Sequence, residues 1–472
     1  MFLSECCDLS GASIPVEILQ RATKLVTPTD SEARKLGTIV AEVTRRIQTS
    51  LESVDPKPEV ALGGSYARGT WLKGSHDVDF FLLYPVTFPR AKLESDAIET
   101  ASRAMAGYRV DLRYAEHPYV ESFVEGIRIN LVPCYSVASG EWLSAADRSP
   151  YHTKYIHSKL DDRLKLEARL FKKFVKAAGV YGAEVRIQGF SGYVCEVLTL
   201  KWGSFLDVLK NLSAIKPGEI ISLETFDEDL VASFKSAMVI LDPVDTNRNL
   251  GSAISTANVG RLVLQSRRFL SKPSIAHFLP EKSTKKIQPK KKTRLLLPRI
   301  FIVSFKNEPR SPDILWGELK RSSSSVSDKL SRIGFHVLRS TTASDEKTRS
   351  ALLFLLSENS IDCLSIRQGP DYFRAEEVEK YFEKNRSKAV LTWMDADGKV
   401  KSIFERESGL TEAENVLRWM LQKNRIKEVG LSPRVMAEIS RSYKITAADR
   451  ALRAHRIEDW LAKEITALSS SD

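Results

Sequence analysis

Asp77 and Asp79 stand one residue apart at the head of an apolar run, Val78 to Tyr84, and this spacing carries the clearest chemistry in the chain. Side chains two apart on a strand face the same way, so the two carboxylates point together. Like charges that close repel unless a cation lies between them. Hard oxygens so arranged suit Mg²⁺, and paired metals can clamp the attacking and leaving oxygens of phosphoryl transfer. Upstream, Gly63-Gly64 allows a sharp turn after the short apolar run Val60-Ala61-Leu62. Ser65 is then placed to open a helix, whose free N–H groups favour anionic oxygens, with Arg68 about one turn further on. Gly64, Ser65 and Arg68 are therefore candidates for binding a polyphosphate, and Asp77 and Asp79 for the metal. A lone Asp-x-Asp more often marks a strand start with its carboxylates in water. The Gly-Ser turn before this one and the apolar strand after it favour the site.

The elements that must hold this site are legible in outline. Leu36, Ile39, Val40, Val43, Ile47 and Leu51 recur at helical spacing, with Asp30 or Ser31 as expected N-cap, and predict a helix packed on the sheet. A polar helix over about 91–106 follows the aspartate strand. Glu125-Gly126 between Val120–Val124 and Ile127–Val132 is a hairpin signal. A helix over about 159–178 stops at Gly179, with Lys172 and Lys176 one turn apart on one face. The lysine-rich stretch 282–294 reads as a boundary or exposed loop. Beyond it we expect a strand over 295–305 and a helix over 316–333 interrupted by Ser322-Ser323-Ser324-Ser325. Strands near 335–340 and 351–356 belong to a small unit, followed by a helix over 375–382 and a hairpin over 389–404.

The chain is 472 residues long, too long for one core, and its 43% hydrophobic content is that of a globular protein. A net charge of +11 favours a polyanionic partner such as RNA. Cys6, Cys7, Cys134, Cys195 and Cys363 form no Cys-x-x-Cys pair, which argues for reduced thiols, a cytoplasmic location and no zinc module. The expected absence of a signal peptide or membrane span agrees with that location.

The string Gly-Ser-Tyr-Ala-Arg-Gly-Thr-Trp-Leu-Lys-Gly-Ser from Gly64 to Ser75, followed by Asp77 and Asp79, resembles the signature of polymerase-β-type nucleotidyltransferases. More narrowly, it resembles the archaeal-type (class I) CCA-adding enzymes, which are tRNA nucleotidyltransferases. The resemblance implies an α+β multidomain chain. It would comprise a polymerase-β-type catalytic head (1–148), a helical neck (149–280), an α+β body (281–332 and 388–472) and a tail (333–387) inserted in the body. It further implies Mg²⁺, the substrates CTP and ATP, and tRNA gripped by its acceptor and TΨC arms. By the same resemblance Ser149 and His152 contact the nucleotide, Lys172 and Tyr181 the triphosphate, and Arg248 helps select C or A.

One departure stands out. The family's third carboxylate lies in a pattern like Val-x-Val-Asp-x-Val-Pro-Cys-Tyr, whereas here Ile127-Arg128-Ile129-Asn130-Leu131-Val132-Pro133-Cys134-Tyr135 carries Asn130. Asn offers one neutral oxygen and cannot take up a proton from the 3′-hydroxyl. Asn130 is thus a metal-site and catalytic candidate of reduced power, either an engineered change or the mark of a natural paralogue. The readings that remain are a CCA-adding enzyme, a catalytically impaired tRNA-acceptor-binding paralogue, or another template-independent nucleotidyltransferase such as a poly(A) polymerase.

Overall fold

A computed structural model describes residues 14–75, 77–114, 117–279, 291–407, 409–453 and 457–469. Cys6, Cys7, Arg456 and most of the lysine-rich stretch lie outside the described residues. The chain divides into two compact units, Met1–Lys282 and Ser283–Asp472. Among the described residues no helix is long and apolar enough to cross a membrane.

The first unit begins with α1 (Val16–Val26) and α2 (Asp30–Ser50), followed by β1 (Glu59–Gly63), the single turn α3 (Gly64–Ala67), β2 (Asp77–Pro85) and α4 (Arg90–Ala104). β3 (Val110–Tyr114), β4 (Pro118–Val124) and β5 (Ile127–Ser136) complete a five-stranded sheet of order β1-β2-β5-β4-β3. Only β2 and β5 run parallel within it. Strand alternation decides which face works. Val78, Phe80, Leu82 and Tyr84 of β2 and Ile127, Ile129 and Leu131 of β5 join one core with Leu36, Val43 and Ile47 of α2 and Leu93 and Ala101 of α4. Asp77, Asp79, Arg128 and Asn130 consequently project from the opposite face. The N-cap of α2 is Thr29, one residue before the expected Asp30, because Glu32 completes a reciprocal capping box with it. The hairpin turn falls where expected, with Glu125 and Gly126 both at positive φ.

Behind the sheet the chain becomes helical: α5 (Arg148–Lys159), α6 (Asp162–Ala177), α7 (Gly192–Trp202) and α8 (Phe205–Ala214). The strands β6 (Ile220–Ile221), β7 (Val239–Asp242) and β8 (Asp245–Asn249) form a small sheet, with α9 (Glu228–Ala232) between the first two and α10 (Thr256–Ser271) after the last. Phe174, Phe205, Phe269 and Phe278 pack ring against ring at its centre. Ala22 and Val26 of α1 are buried in this same core, although α1 precedes the sheet in sequence.

The second unit holds β9 (Ile300–Lys306), α11 (Pro312–Ile333), β10 (Val337–Ser344), β11 (Arg349–Leu356), β12 (Leu364–Asp371), α12 (Ala375–Asn385), β13 (Leu391–Met394) and β14 (Lys399–Glu405). α13 (Ala413–Met420), α14 (Pro433–Arg441), β15 (Tyr443–Ala447), α15 (Ala448–Arg453) and α16 (Asp459–Ser469) follow. Three expectations change here. β10 and β11, read from sequence as strands of a small unit, pair into a four-stranded sheet of order β10-β11-β9-β15, and a separate three-stranded sheet is built from β12, β14 and β13. All of β11 after Arg349 is buried, so its proper place is inside the larger sheet. The four serines do not interrupt α11; Ser322 is fully buried and its Oγ accepts from Ser432 N at 3.1 Å. The strand expected from residue 295 starts at Ile300, after a 3₁₀ stretch that contains Pro298.

Candidate active site

β1 pairs antiparallel with β2 and sets Gly63 opposite Asp79, so the Gly63-Gly64 turn closes over the aspartate. Gly64 has φ +66°, and a Cβ there would lie 1.9 Å from Asp79 Oδ2. Only glycine permits both this conformation and this approach. Ser65 follows within α3, which is one turn long and ends on Arg68 as its C-cap.

Both aspartates are engaged. Arg128 Nε donates to Asp77 Oδ1 at 3.0 Å and its Nη2 to Oδ2 at 2.5 Å. The parallel register sets Asn130 beside Asp79, and Asn130 Nδ2 donates to Asp79 Oδ1 at 2.8 Å. Asn130 Oδ1 is buried without a hydrogen-bond partner. Burial raises the Asp79 carboxyl above its ordinary value, against the pull of the Asn130 amide and Arg68. Two carboxylates and an orphaned amide oxygen on one face, beneath a turn that leaves room at Gly64, fit a hard divalent cation. Among the described residues no three His, Cys, Asp or Glu side chains converge as a metal cluster, because β5 presents Asn130 where a third carboxylate was expected.

The expected phosphate-binding cations share one anion that sequence reading passed over. Glu196, completely buried in α7, has Oε2 2.7 Å from Arg68 Nε and Oε1 2.6 Å from Lys172 Nζ. Lys172 Nζ also donates to Thr70 Oγ1 at 2.8 Å, and Thr70 Oγ1 donates to Glu196. Burial alone would raise the Glu196 carboxyl, but Arg68 and Lys172 hold it below the usual carboxylate range. Tyr181 approaches the same place: a Cβ on Gly192, the first residue of α7, would lie 2.8 Å from Tyr181 Oη and 3.6 Å from Lys172 Nζ.

A second buried carboxylate organises the remaining candidates. Asp242, at the end of β7, holds His152 Nε2 at 2.8 Å and accepts from Arg248 Nη1 at 3.2 Å and Tyr193 Oη at 3.1 Å. The His152 ring stacks on Tyr193 with centroids 4.0 Å apart, and burial lowers the His152 pKa although Asp242 acts against it. The Arg68 guanidinium lies 6.0 Å from the Tyr193 ring centre and so joins the Glu196 and Asp242 clusters. Ser149 occupies the first turn of α5, one turn before His152. Arg248 also lines a cavity of about 530 Å³ with Trp142, Arg148, Asp245 and Asn249. Arg68, Lys172, Tyr181, His152 and Arg248 thus come together around Glu196 and Asp242, neither of which was read as functional. Glu196 did carry a signal, as a lone carboxylate in the apolar run Tyr193 to Leu198. A charge placed there must find buried partners. Asp242 was hidden in a string that reads as a turn.

Three family models match the chain in succession. A family model described as nucleotidyltransferase domain matches residues 44–157. One for the second domain of tRNA nucleotidyltransferase matches 166–279, and one for the C-terminal domain of CCA-adding enzyme matches 298–448. The chain is 38% identical over 374 residues to a CCA-adding enzyme of Pyrobaculum neutrophilum, an alignment covering 78% of this chain and 86% of that protein. It is 33% identical over 391 residues to a CCA-adding enzyme of Saccharolobus islandicus, covering 83% and 89% respectively. With relatives this similar along most of its length and a nucleotidyltransferase domain at the front, the chain belongs to the CCA-adding enzymes, a family of tRNA nucleotidyltransferases.

Proposed function

We propose that this chain extends the 3′ end of tRNA with C, C and A, without a nucleic-acid template, in the cytoplasm. In each addition the tRNA 3′-hydroxyl attacks the α-phosphate of CTP or ATP and pyrophosphate leaves. The observation that carries the proposal is the Asp77–Asp79 pair held on β2 under the Gly64 turn, in a chain of this family.

Asp77, Asp79 and Asn130 Oδ1 would hold Mg²⁺, which when bound supplies positive charge against the phosphates as they react. Arg128, whose side chain is half-exposed, must first leave Asp77. Gly64 and Ser65 offer backbone and hydroxyl donors to the triphosphate. Arg68 brings a planar fork and Lys172 a point charge, both held ready by Glu196. Tyr181 adds a hydroxyl, Ser149 and His152 face the nucleotide, and Arg248 donates to acceptors on the Watson–Crick edges of cytosine and adenine. Head (1–148) and neck (149–280) would enclose the nucleotide. Body and tail, from 281 onward, would measure the acceptor and TΨC arms.

Asn130 favours a second reading, a tRNA-acceptor-binding paralogue with little turnover, because a neutral amide removes charge where preorganised charge counts most. Purified protein, tRNA ending before its final C or A, Mg²⁺ and labelled CTP or ATP decide between them, beside an Asn130→Asp variant. Extension by one C or A supports the enzyme reading. Extension only by Asn130→Asp identifies a disabled enzyme, and inactivity of both with tRNA still bound establishes the binding protein. Long A tails without C would make it a poly(A) polymerase instead.

A further inference from the structure

α6 carries Lys165, Arg169 and Lys172, spaced four and three apart, which lines them up on one helix face. That face lies against the turn proposed above to bind phosphate. The turn closes as a Schellman motif: Gly69, at φ +69°, donates its N–H to Tyr66 O at 3.0 Å, and Thr70 donates its N–H to Ser65 O at 2.9 Å. The next three carbonyls, of Gly69, Thr70 and Trp71, are all taken up by α6. Arg169 Nη2 donates to Gly69 O at 2.6 Å and Arg169 Nε to Trp71 O at 3.2 Å. Lys172 Nζ reaches Thr70 O at 3.4 Å. Lys165 lays its stem over Gly69, where a Cβ would lie 3.4 Å from Lys165 Cδ. Lys172 is also tied to Glu196 and Lys165 to Asp162, whereas among the described residues Arg169 directs its hydrogen bonds to these two carbonyls alone. Burial lowers the Arg169 pKa, with Asp162, itself exposed and paired with Lys165, acting against it. A cation desolvated against neutral acceptors balances no charge; what it fixes is backbone geometry.

We propose that Arg169 is a positioning residue for nucleotide binding, one that fixes the phosphate-binding turn from behind without touching the nucleotide. The inference rests on the nucleotide site proposed above. Ser65 lies inside the motif and Arg68 is its C-cap, so holding Gly69 and Trp71 sets where both side chains leave the backbone. The planar fork of a guanidinium spans two carbonyls at once, which a single ammonium does not. α6 and α7 thus grip the same turn in different ways: α6 through backbone carbonyls, and α7 through Glu196 on the Arg68 side chain. Lys172 joins the two grips, since it meets both Thr70 O and Glu196.

The test is calorimetric binding of α,β-methylene-CTP, which cannot transfer its nucleotide, to the full chain with Mg²⁺, beside filter binding of tRNA without nucleotide. Arg169→Met keeps the stem and removes both donors. It should weaken the analogue about 10- to 100-fold, the size of one or two hydrogen bonds from a charged group, and leave tRNA affinity unchanged. Amide hydrogen exchange should quicken over residues 64–72 and not elsewhere. Arg169→Lys keeps the charge without the fork and should recover only part of the loss. Arg163→Met removes another α6 donor, from Gly203 O at 2.9 Å and away from the turn, and should bind the analogue as wild type does. Arg169→Met or Arg169→Lys binding the analogue as tightly as wild type overturns the proposal. So does an equal weakening by Arg163→Met, or a loss of tRNA affinity as large as the loss of analogue, since either marks general destabilisation. Wild type that binds the analogue, loses it with Arg169→Met and yet fails to extend tRNA sinks the proposed function and leaves Arg169 in place. Wild type that extends tRNA while Arg169→Met binds the analogue unchanged does the reverse, and a wild type that binds no analogue overturns both.

Discussion

At the residue scale the site is held by two carboxylates that touch several candidates each. Glu196 is the more demanding, since Arg68 and Lys172 are both buried against it. Removing one partner of a buried ion pair leaves uncompensated charge and costs about 3–5 kcal/mol. Glu196→Gln is accordingly expected to lower the unfolding free energy by that amount, measured by urea unfolding of the full chain. Combining it with Lys172→Met should recover part of the loss. A single-variant cost below about 1 kcal/mol, the value of an exposed pair, would show that Arg68 and Lys172 do not depend on it. Gly64 makes a different demand. Gly64→Ala forces an L side chain to φ +66° and sets a methyl against Asp79 Oδ2. The backbone strain is only about 1–2 kcal/mol, so the fold should survive. Displacing Asp79 by even 1 Å can cost about 100-fold in turnover. The expected outcome is a folded chain with nucleotide transfer reduced by that order; wild-type transfer by Gly64→Ala would remove the turn from the site.

At the scale of elements, what the sequence revealed depended on how local the determining physics was. The β2 strand, the Glu125-Gly126 hairpin and α2 follow from periodicity and turn chemistry within a few residues, and the structure has them where the pattern puts them. The strands β10 and β11 were recognisable, but their sheet was not, because β11 pairs onward with β9, some 50 residues earlier, and that pairing leaves no local mark. The serine run in α11 misled for the opposite reason. Serine's weak helix propensity was read as a break, while Ser322 and Ser323 are buried by tertiary packing that overrides it. The site divides in the same way: Asp77 and Asp79 announce themselves by spacing, whereas Asp242 becomes visible only through its long-range contacts with His152 and Tyr193. A local device remains testable by itself. Thr29 caps α2, its Oγ1 accepting from Glu32 N at 3.2 Å while Glu32 Oε2 accepts from Thr29 N at 2.8 Å. Thr29→Ala should cost about 1 kcal/mol, seen as a lower urea midpoint. The adjacent Asp30→Ala, outside the cap position, should cost less, and equal losses would return the N-cap to the residue first expected.

For the whole molecule the determining quantity is charge. A net charge of +11 over 472 residues gives a long-range attraction for polyanions that no single residue accounts for. It cannot select tRNA from other RNA, because phosphate contacts position a ligand and carry no sequence information. On the proposed function, selection comes instead from shape along the acceptor and TΨC arms and from a nucleotide pocket around Arg248. The two contributions respond differently to salt. Binding through lysine and arginine releases counterions, so affinity for tRNA should fall by about 10³-fold between about 50 and 200 mM monovalent salt. The preference for tRNA over an unstructured RNA of equal length should change far less. Filter binding of both RNAs across that range checks the prediction. An affinity that barely moves with salt would remove the electrostatic account of the basic composition, and a tRNA preference that vanishes with it would mean that charge alone had been holding the RNA.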